Sequence, residues 1–268
     1  EVLPPEMLSH YKGIDISPAM VEKAAALYAN TAKVSFEIGD LNEGLPFNGS
    51  EPPFDIYFSS FGSLAHLKDD GLERLIEDII DHFEGRCMFV ADMVGRYSYE
   101  WQCYWDESGE DDSNMRQYSM SYLYPADMIE HIEVERFPLR YWGGEEFHAF
   151  ISKIAARKGI RITNQRLHDR SILVGRHMNT AEFNTNAQPL RAAVNSLHEF
   201  NTRTDLTSLL FDYTPVPGHD RLNDFFERFQ MAWNSVVNAS IEALNNWRDI
   251  DRLKEDPPDE FPDFVQEP

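Results

Sequence analysis

Cysteine is nearly absent: Cys87 and Cys103 are the only two in 268 residues. Two thiols without a second pair supply neither a disulfide framework nor a zinc site, so no metal is expected and a reducing, cytoplasmic setting fits. Positive charge is also scarce. Against 46 acidic residues stand 24 Lys and Arg, a formal net charge of −22. Such a surface repels a phosphate backbone and an anionic leaflet, which argues against nucleic acid and membrane partners. Long apolar runs are missing too: none approaches the ~18 residues that span a bilayer, and no basic-then-apolar leader opens the chain. Nor is there a glycine-rich strand-to-helix turn of the Gly-x-Gly-x-Gly kind anywhere among the 14 glycines.

What is present suits a globular chain, with 42% apolar residues and 13% aromatic ones. Tyr11 to Asp15 is a short apolar segment ending on an acid. Ser17-Pro18 then offers a helix N-cap followed by proline at the first helical position, and helical sequence runs on to Ala29. Val34 to Ile38 alternates as a strand, with Gly39-Asp40 at its end. Phe54 to Ser60 reads as the next strand. Leu72, Leu75, Ile76, Ile79, Ile80 and Phe83 have the spacing of an amphipathic helix, and Cys87 to Val94 reads as a buried strand. Strands alternating with helices predict a mostly parallel sheet with helices on both faces.

Residues 96–125 are rich in Tyr, Trp and acid, including the run Asp106 to Asp112, and carry no clean period. They read as an excursion above the sheet. Tyr97, Tyr99, Trp101, Tyr104, Trp105, Tyr118, Tyr122 and Tyr124 form either a lid over an acceptor or an aromatic core of that segment. Beyond it, Ile132 to Tyr141 reads as a strand and Glu145 to Arg157 as a helix. Ile160 to Leu167 and Ser171 to Arg176 then read as a closing antiparallel pair of strands. Helical patterns follow over Leu190 to Phe200 and Asp220 to Trp247. The acidic, proline-rich tail at 249–268 has no pattern of its own.

In an open parallel sheet, ligands bind outside the carboxyl ends of the strands. Asp15, Asp40 and Ser59-Ser60-Phe61 all fall at such ends. A carboxylate at Asp15 can accept from both hydroxyls of a ribose, in a nicotinamide dinucleotide as well as in other adenosine cofactors. An acid after a strand is also a common turn former or N-cap, so each residue alone carries little weight. Their order and placement carry more.

The segment YKGIDISPAMVEKA (11–24) resembles the ribose-holding stretch of class I S-adenosylmethionine-dependent methyltransferases, and FEIGDLNEGLPF (36–47) resembles their adenine-contacting loop. FDIYFSSFGSLAHLKD (54–69) is similar to their fourth strand and the helix after it. GEEFHAFISKIAARKGIRI (144–162) with DRSILVGRH (169–177) resembles their last helix and reversed hairpin. The resemblance covers roughly residues 1–178. It implies a three-layer Rossmann-like methyltransferase sheet, mostly parallel with an antiparallel C-terminal hairpin, plus C-terminal helices. The implied division is 1–178 as methyltransferase domain with an inserted segment at about 96–142, 179–248 as a helical extension, and 249–268 as a tail. The family's glycine-rich turn has no counterpart here, so the chain is expected to begin just after it, with Glu1 to His10 as the remnant of the first helix.

The resemblance further implies S-adenosyl-L-methionine as cofactor and S-adenosyl-L-homocysteine as product. Asp15 and Ile16 would lie against the ribose, Asp40 and Leu41 against adenine, and Ser59, Ser60 and Phe61 at the methyl-donor end. The family's Asn/Asp-Pro-Pro-Tyr/Phe signature for nucleobase or glutamine nitrogens is replaced by Ser59-Ser60-Phe61-Gly62, which points to a small-molecule acceptor. The catalytic group is unassigned. His66 is the candidate general base nearest a strand end, with His148 and His168 behind it. The expected activity is methyl transfer to a small molecule, the alternative being an inactive protein of the same fold that binds or scaffolds. The C-terminal helices offer a surface for a homodimer.

Overall fold

The computed structural model describes residues 7–106, 115–125, 127–168 and 175–247. It opens with the strand β1 (Tyr11–Asp15), the helix α1 (Pro18–Leu27) and the strand β2 (Val34–Ile38). The turn into α1 is made by side chains: Asp15 accepts from the Ser17 amide at 2.8 Å, and the Ser17 hydroxyl caps Met20. β1 and β2 run parallel in a register that sets Asp15 opposite Ile38. Lys12 is drawn down between Glu37 and Glu51, the latter at 2.6 Å. Burial opposes its charge, but the two carboxylates outweigh that and hold the ammonium above its ordinary pKa.

Next come the strand β3 (Ile56–Ser59), the helix α2 (Asp69–His82), the strand β4 (Met88–Ala91) and the two-residue strand β5 (Val94–Gly95). β3 and β4 are parallel, with Ser59 opposite Ala91. The apolar stripe of α2 supplies the core: Leu72, Leu75, Ile76 and Ile79 pack with Tyr57, Leu64, Trp142 and Ile154. Each such side chain contributes roughly 1.5–3 kcal/mol on burial. The opposite face of the same two strands is bare. Ile56 and Phe58 are 51% and 69% exposed, and their partners Met88 and Val90 are 56% and 37% exposed. Parallel strands are normally covered on both faces, so this one-sided burial is unusual.

A third sheet joins β5 to the strands β6 (Met115–Ser119) and β7 (Arg136–Trp142) in the order β5-β7-β6, after which the helix α3 (Gly144–Arg157) begins. β7 runs parallel to β5 and antiparallel to β6. The buried Arg140 on β7 ties this region together. Its guanidinium pairs with Asp69 in the first turn of α2 at 2.7 Å and with Glu146 in the first turn of α3, and it lies 3.8 Å over the Trp142 ring.

Several expectations are corrected. Among the described residues the strands form three small sheets rather than one continuous sheet. Antiparallel pairing is supplied by β6 and β7, so part of the supposed excursion is itself a strand. Ile160 to Leu167 is not a strand: Ile162 and Leu167 are 38% and 55% exposed, so the alternation meets no buried face. Its expected partner, Ser171 to Arg176, lies mostly outside the described residues, as do most of the acidic run, the start of the chain and the tail.

The chain divides into two compact units, residues 1–96 with 106–169, and residues 97–105 with 170–268. The second contains the helices α4 (Leu190–Ser196) and α5 (Asp220–Trp247). Its core is aromatic: Tyr99, Trp105, Phe211, Tyr213 and Phe226 pack with Met178 and Leu190. Polar atoms there are paired, the Trp105 indole N–H with the Ser98 carbonyl at 2.9 Å and the Trp233 indole N–H with the Leu209 carbonyl at 2.7 Å. Asn234 both donates to and accepts from the backbone of Phe211, each at 2.8 Å.

Candidate functional site

β1 and β2 bring two of the expected acids to one end of one sheet. Asp15 closes β1, and its carbonyl accepts from the Gly39 amide at 3.1 Å, which holds the loop carrying Asp40 against it. Asp40 caps the short 3-10 turn Leu41–Glu43 by accepting from the Asn42 amide at 2.9 Å. Both carboxylates are exposed. Each spends one oxygen, Oδ1, on its own turn. Next to Asp15 lies a shallow cleft of about 200 Å³ lined by Tyr11, Gly13, Ile14, Asp15, Met20, Val21, Ala24 and Phe36. Gly13 keeps that wall tight, since a Cβ there would stand 2.6 Å from the Phe36 ring.

β3 and β4 bring Ser59, Ser60 and Phe61 to the end of a separate sheet, next to Asp92. The Asp92 amide donates to the Ser59 carbonyl at 3.0 Å, and its carboxylate accepts from the Phe61 amide at 3.1 Å. Ser63 donates from its hydroxyl to the Ser60 carbonyl at 2.8 Å. Phe61 and Gly62 consequently both take left-handed backbone, with φ of 56° and 70°. The Ser59 hydroxyl is buried without a hydrogen-bond partner among the described residues. A buried polar atom of that kind costs free energy unless something else meets it, which suits a site completed by a ligand.

His66 ends the 3-10 turn Ser63–His66, where its ring stacks on Phe137 at 5.3 Å. Phe137 in turn stacks on Tyr118 at 5.3 Å, and Tyr118 meets Tyr122 edge-on. Desolvation by burial lowers the His66 pKa and so favours the neutral imidazole. His148 is exposed and bonded to Gln165, and His168 lies in irregular chain. The eight-residue aromatic set splits. Tyr99, Trp101 and Trp105 are 0%, 4% and 1% exposed inside the second unit, which makes them core rather than lid, whereas Tyr118 and Tyr122 belong to the row beside His66.

Sequence reasoning missed Asp92. It carries the same signal as Asp15, an acid at a strand end, but stands inside the longer apolar run Cys87 to Val94. Arg140 was missed because an isolated arginine in a strand gives no sign of the two acids that fold onto it.

Residues 5–84 match the family model described as a methyltransferase domain. No curated protein matches the chain by sequence. Among solved structures, the chain is similar to an S-adenosylmethionine-dependent methyltransferase from Clostridium acetobutylicum at 16% identity and a TM-score of 0.37, covering 55% of this chain and 63% of that one. It is similar to the glycopeptide N-methyltransferase MtfA at 13% identity and a TM-score of 0.38, covering 54% and 62%. For DesVI from Streptomyces venezuelae the identity is 13%, the TM-score 0.34 and the coverage 54% and 65%. The chain thus spans less than two thirds of the length of these structures.

Proposed function

We propose, from the premise that residues 5–84 belong to the methyltransferase-domain family, that this chain transfers a methyl group from S-adenosyl-L-methionine to a small-molecule acceptor. The observation that carries the reading is that Asp15, Asp40 and Ser59 stand at the carboxyl ends of successive parallel strands inside or beside the matched segment. In this reading the parts belong to a Rossmann-like three-layer fold over residues 1–178, read from the family resemblance.

The residues fit the cofactor. Asp15, which is exposed, would take the ribose hydroxyls, with Ile16 beside it. Asp40 and Leu41 would frame adenine, and Ser59 to Phe61 would line the methyl-donor end, where the orphaned Ser59 hydroxyl gains a partner. When bound, the sulfonium supplies an electrophilic methyl carbon and leaves as a thioether. The chain's own residues then have to align the acceptor in line with that carbon, exclude water and, for a poorly acidic nucleophile, remove a proton. His66 is suited to the last task because burial favours its neutral form. A soluble, cytoplasmic protein is consistent with this, and no described helix is long and apolar enough to cross a membrane. A homodimer through the exposed Phe225, Met231 and Val236 of α5 completes the proposal.

Calorimetric titration with S-adenosylhomocysteine tests it. Saturable binding is expected, falling about 10- to 100-fold in Asp15→Ala, the loss of a charged hydrogen-bond acceptor. Asp15→Asn keeps the acceptor for the Ser17 amide and separates ligand contact from turn stability. Binding of NAD in place of the homocysteine ligand would overturn the reading.

A further inference from the structure

Seven non-terminal positions among the described residues adopt left-handed backbone without being Phe61, and they show what the fold asks of such a site: Gly44, Gly49, Gly62, Gly85, Gly159 and Gly218 are glycine, and Asn201 is the residue type that tolerates it best after glycine. Phe61 is the exception. A bulky aromatic side chain at a φ of 56° is strained, and persists only where its surroundings dictate the conformation. Here they do so through three bonds already described: the Asp92 carboxylate on the Phe61 amide, the Asp92 amide on Ser59, and the Ser63 hydroxyl on Ser60.

All three bonds involve backbone or neighbouring side chains, so none requires a phenyl ring at 61. The residue is 87% exposed, and burial therefore gives no return for the strain. Phe200 is as exposed, at 94%, but there the left-handed position falls on the adjacent Asn201 and the aromatic residue carries no strain. For folding alone, glycine or asparagine would serve better at 61. The ring stands one short 3-10 turn ahead of His66, whose imidazole opens the aromatic row of Phe137, Tyr118 and Tyr122.

We infer that Phe61 is a specificity residue whose ring forms a stacking face for the acceptor, and that the acceptor is a planar aromatic compound. The inference rests on the methyltransferase reading and deepens it. Its backbone bonds hold the ring outward from the strand end, an aromatic acceptor lies flat against it, and the attacking atom is thereby held in line with the methyl carbon. An offset-stacked ring pair is the geometry that aromatic quadrupoles favour. The Phe61 side chain touches the acceptor and takes no part in proton transfer.

The test compares the wild-type chain with Phe61→Asn and Phe61→Tyr in three measurements. Thermal melting of Phe61→Asn is expected at or up to about 4 °C above wild type, because asparagine accepts the left-handed backbone. S-adenosylhomocysteine affinity is measured in both variants because Ser59 to Phe61 also line the methyl-donor end, and in Phe61→Asn it is expected to fall by less than KM for the aromatic acceptor rises. Transfer of labelled methyl from S-adenosylmethionine is read on a panel of phenols, catechols, indoles, anilines and amino sugars. Turnover of an aromatic member is expected, with KM raised about tenfold or more in Phe61→Asn and restored in Phe61→Tyr, the size of one lost aromatic contact. A lower melting point in Phe61→Asn, an unchanged KM, or transfer to amino sugars alone or to no member of the panel overturns the inference. So does a loss of homocysteine-ligand affinity in Phe61→Asn as large as the rise in KM, which would make the ring a cofactor contact alone. Failure of the wild-type chain to bind that ligand at all sinks the parent reading instead.

Discussion

His177 shows at the scale of one residue how burial sets a titration. It is 0% exposed, and its ring lies 4.6 Å from that of Phe183 and 5.0 Å from that of Trp101. Desolvation, assisted by the nearby Arg191 and Arg176, pushes its pKa down to about 4. The folded chain therefore resists a proton that the unfolded chain accepts below about pH 6.5. Below that value the unfolded state binds more protons, so stability falls as pH falls, and the loss is complete near pH 4. Its size is on the order of 3 kcal/mol, the shift converted at 1.36 kcal/mol per unit. Urea denaturation at several pH values should show this slope in the wild-type chain and its disappearance in His177→Leu. An equal slope in both proteins would place the acid sensitivity elsewhere.

At the scale of elements, Arg140 is the test of how β7, α2 and α3 hold one another. Its guanidinium is almost fully buried, while Asp69 and Glu146 keep 41% and 34% exposure. Burial raises the Glu146 pKa, but the hydrogen bonds from Arg140 and from the Gly143 amide outweigh it and hold the carboxyl below the usual range. Removing one partner of a fully buried pair costs about 3–5 kcal/mol. Because both acids can turn to water, Arg140→Met should cost less, about 2–3 kcal/mol in urea denaturation. Adding Glu146→Gln to that variant should recover part of the loss, and a purely additive double variant would mean the pair is not coupled. None of this was legible beforehand: Asp69 lies 71 residues from Arg140 in sequence, and Glu146, though only six away, sits on a separate element. What was legible were elements with a clear local pattern. β1, β2 and α5 have the expected bounds, and the α2 stripe is buried at Leu72, Leu75, Ile76 and Ile79. Ile160 to Leu167 misled because period-2 alternation describes a face and does not supply the strand that must cover it. At the candidate site, acids at strand ends could be read at Asp15 and Asp40. The strained backbone of Phe61 could not, since phenylalanine is among the residues least expected at positive φ.

Two of the cores among the described residues differ in character. Aliphatic side chains on α2 dominate one, and aromatic rings around Tyr99 and Phe226 dominate the other. The aromatic core could not be read from periodicity, because Tyr99, Trp101 and Trp105 sit in and beside a kinked 3-10 segment and pack with residues from 177 to 226. The chain passes from one unit to the other after residues 96, 105 and 169, so neither unit is a continuous stretch. Each nevertheless buries its own apolar surface, and each is expected to unfold with its own transition. Leu72→Ala removes a side chain that is 0% exposed and should cost about 2–5 kcal/mol in the first unit. Phe226→Ala removes a ring that is 1% exposed and stacked on Trp105 and Tyr213, and should cost about 3–5 kcal/mol in the second. Hydrogen exchange read by peptide should then show faster exchange over 56–82 in the first variant and over 206–237 in the second. If either substitution accelerates both regions equally, the two cores form one cooperative unit and the separate transitions do not exist.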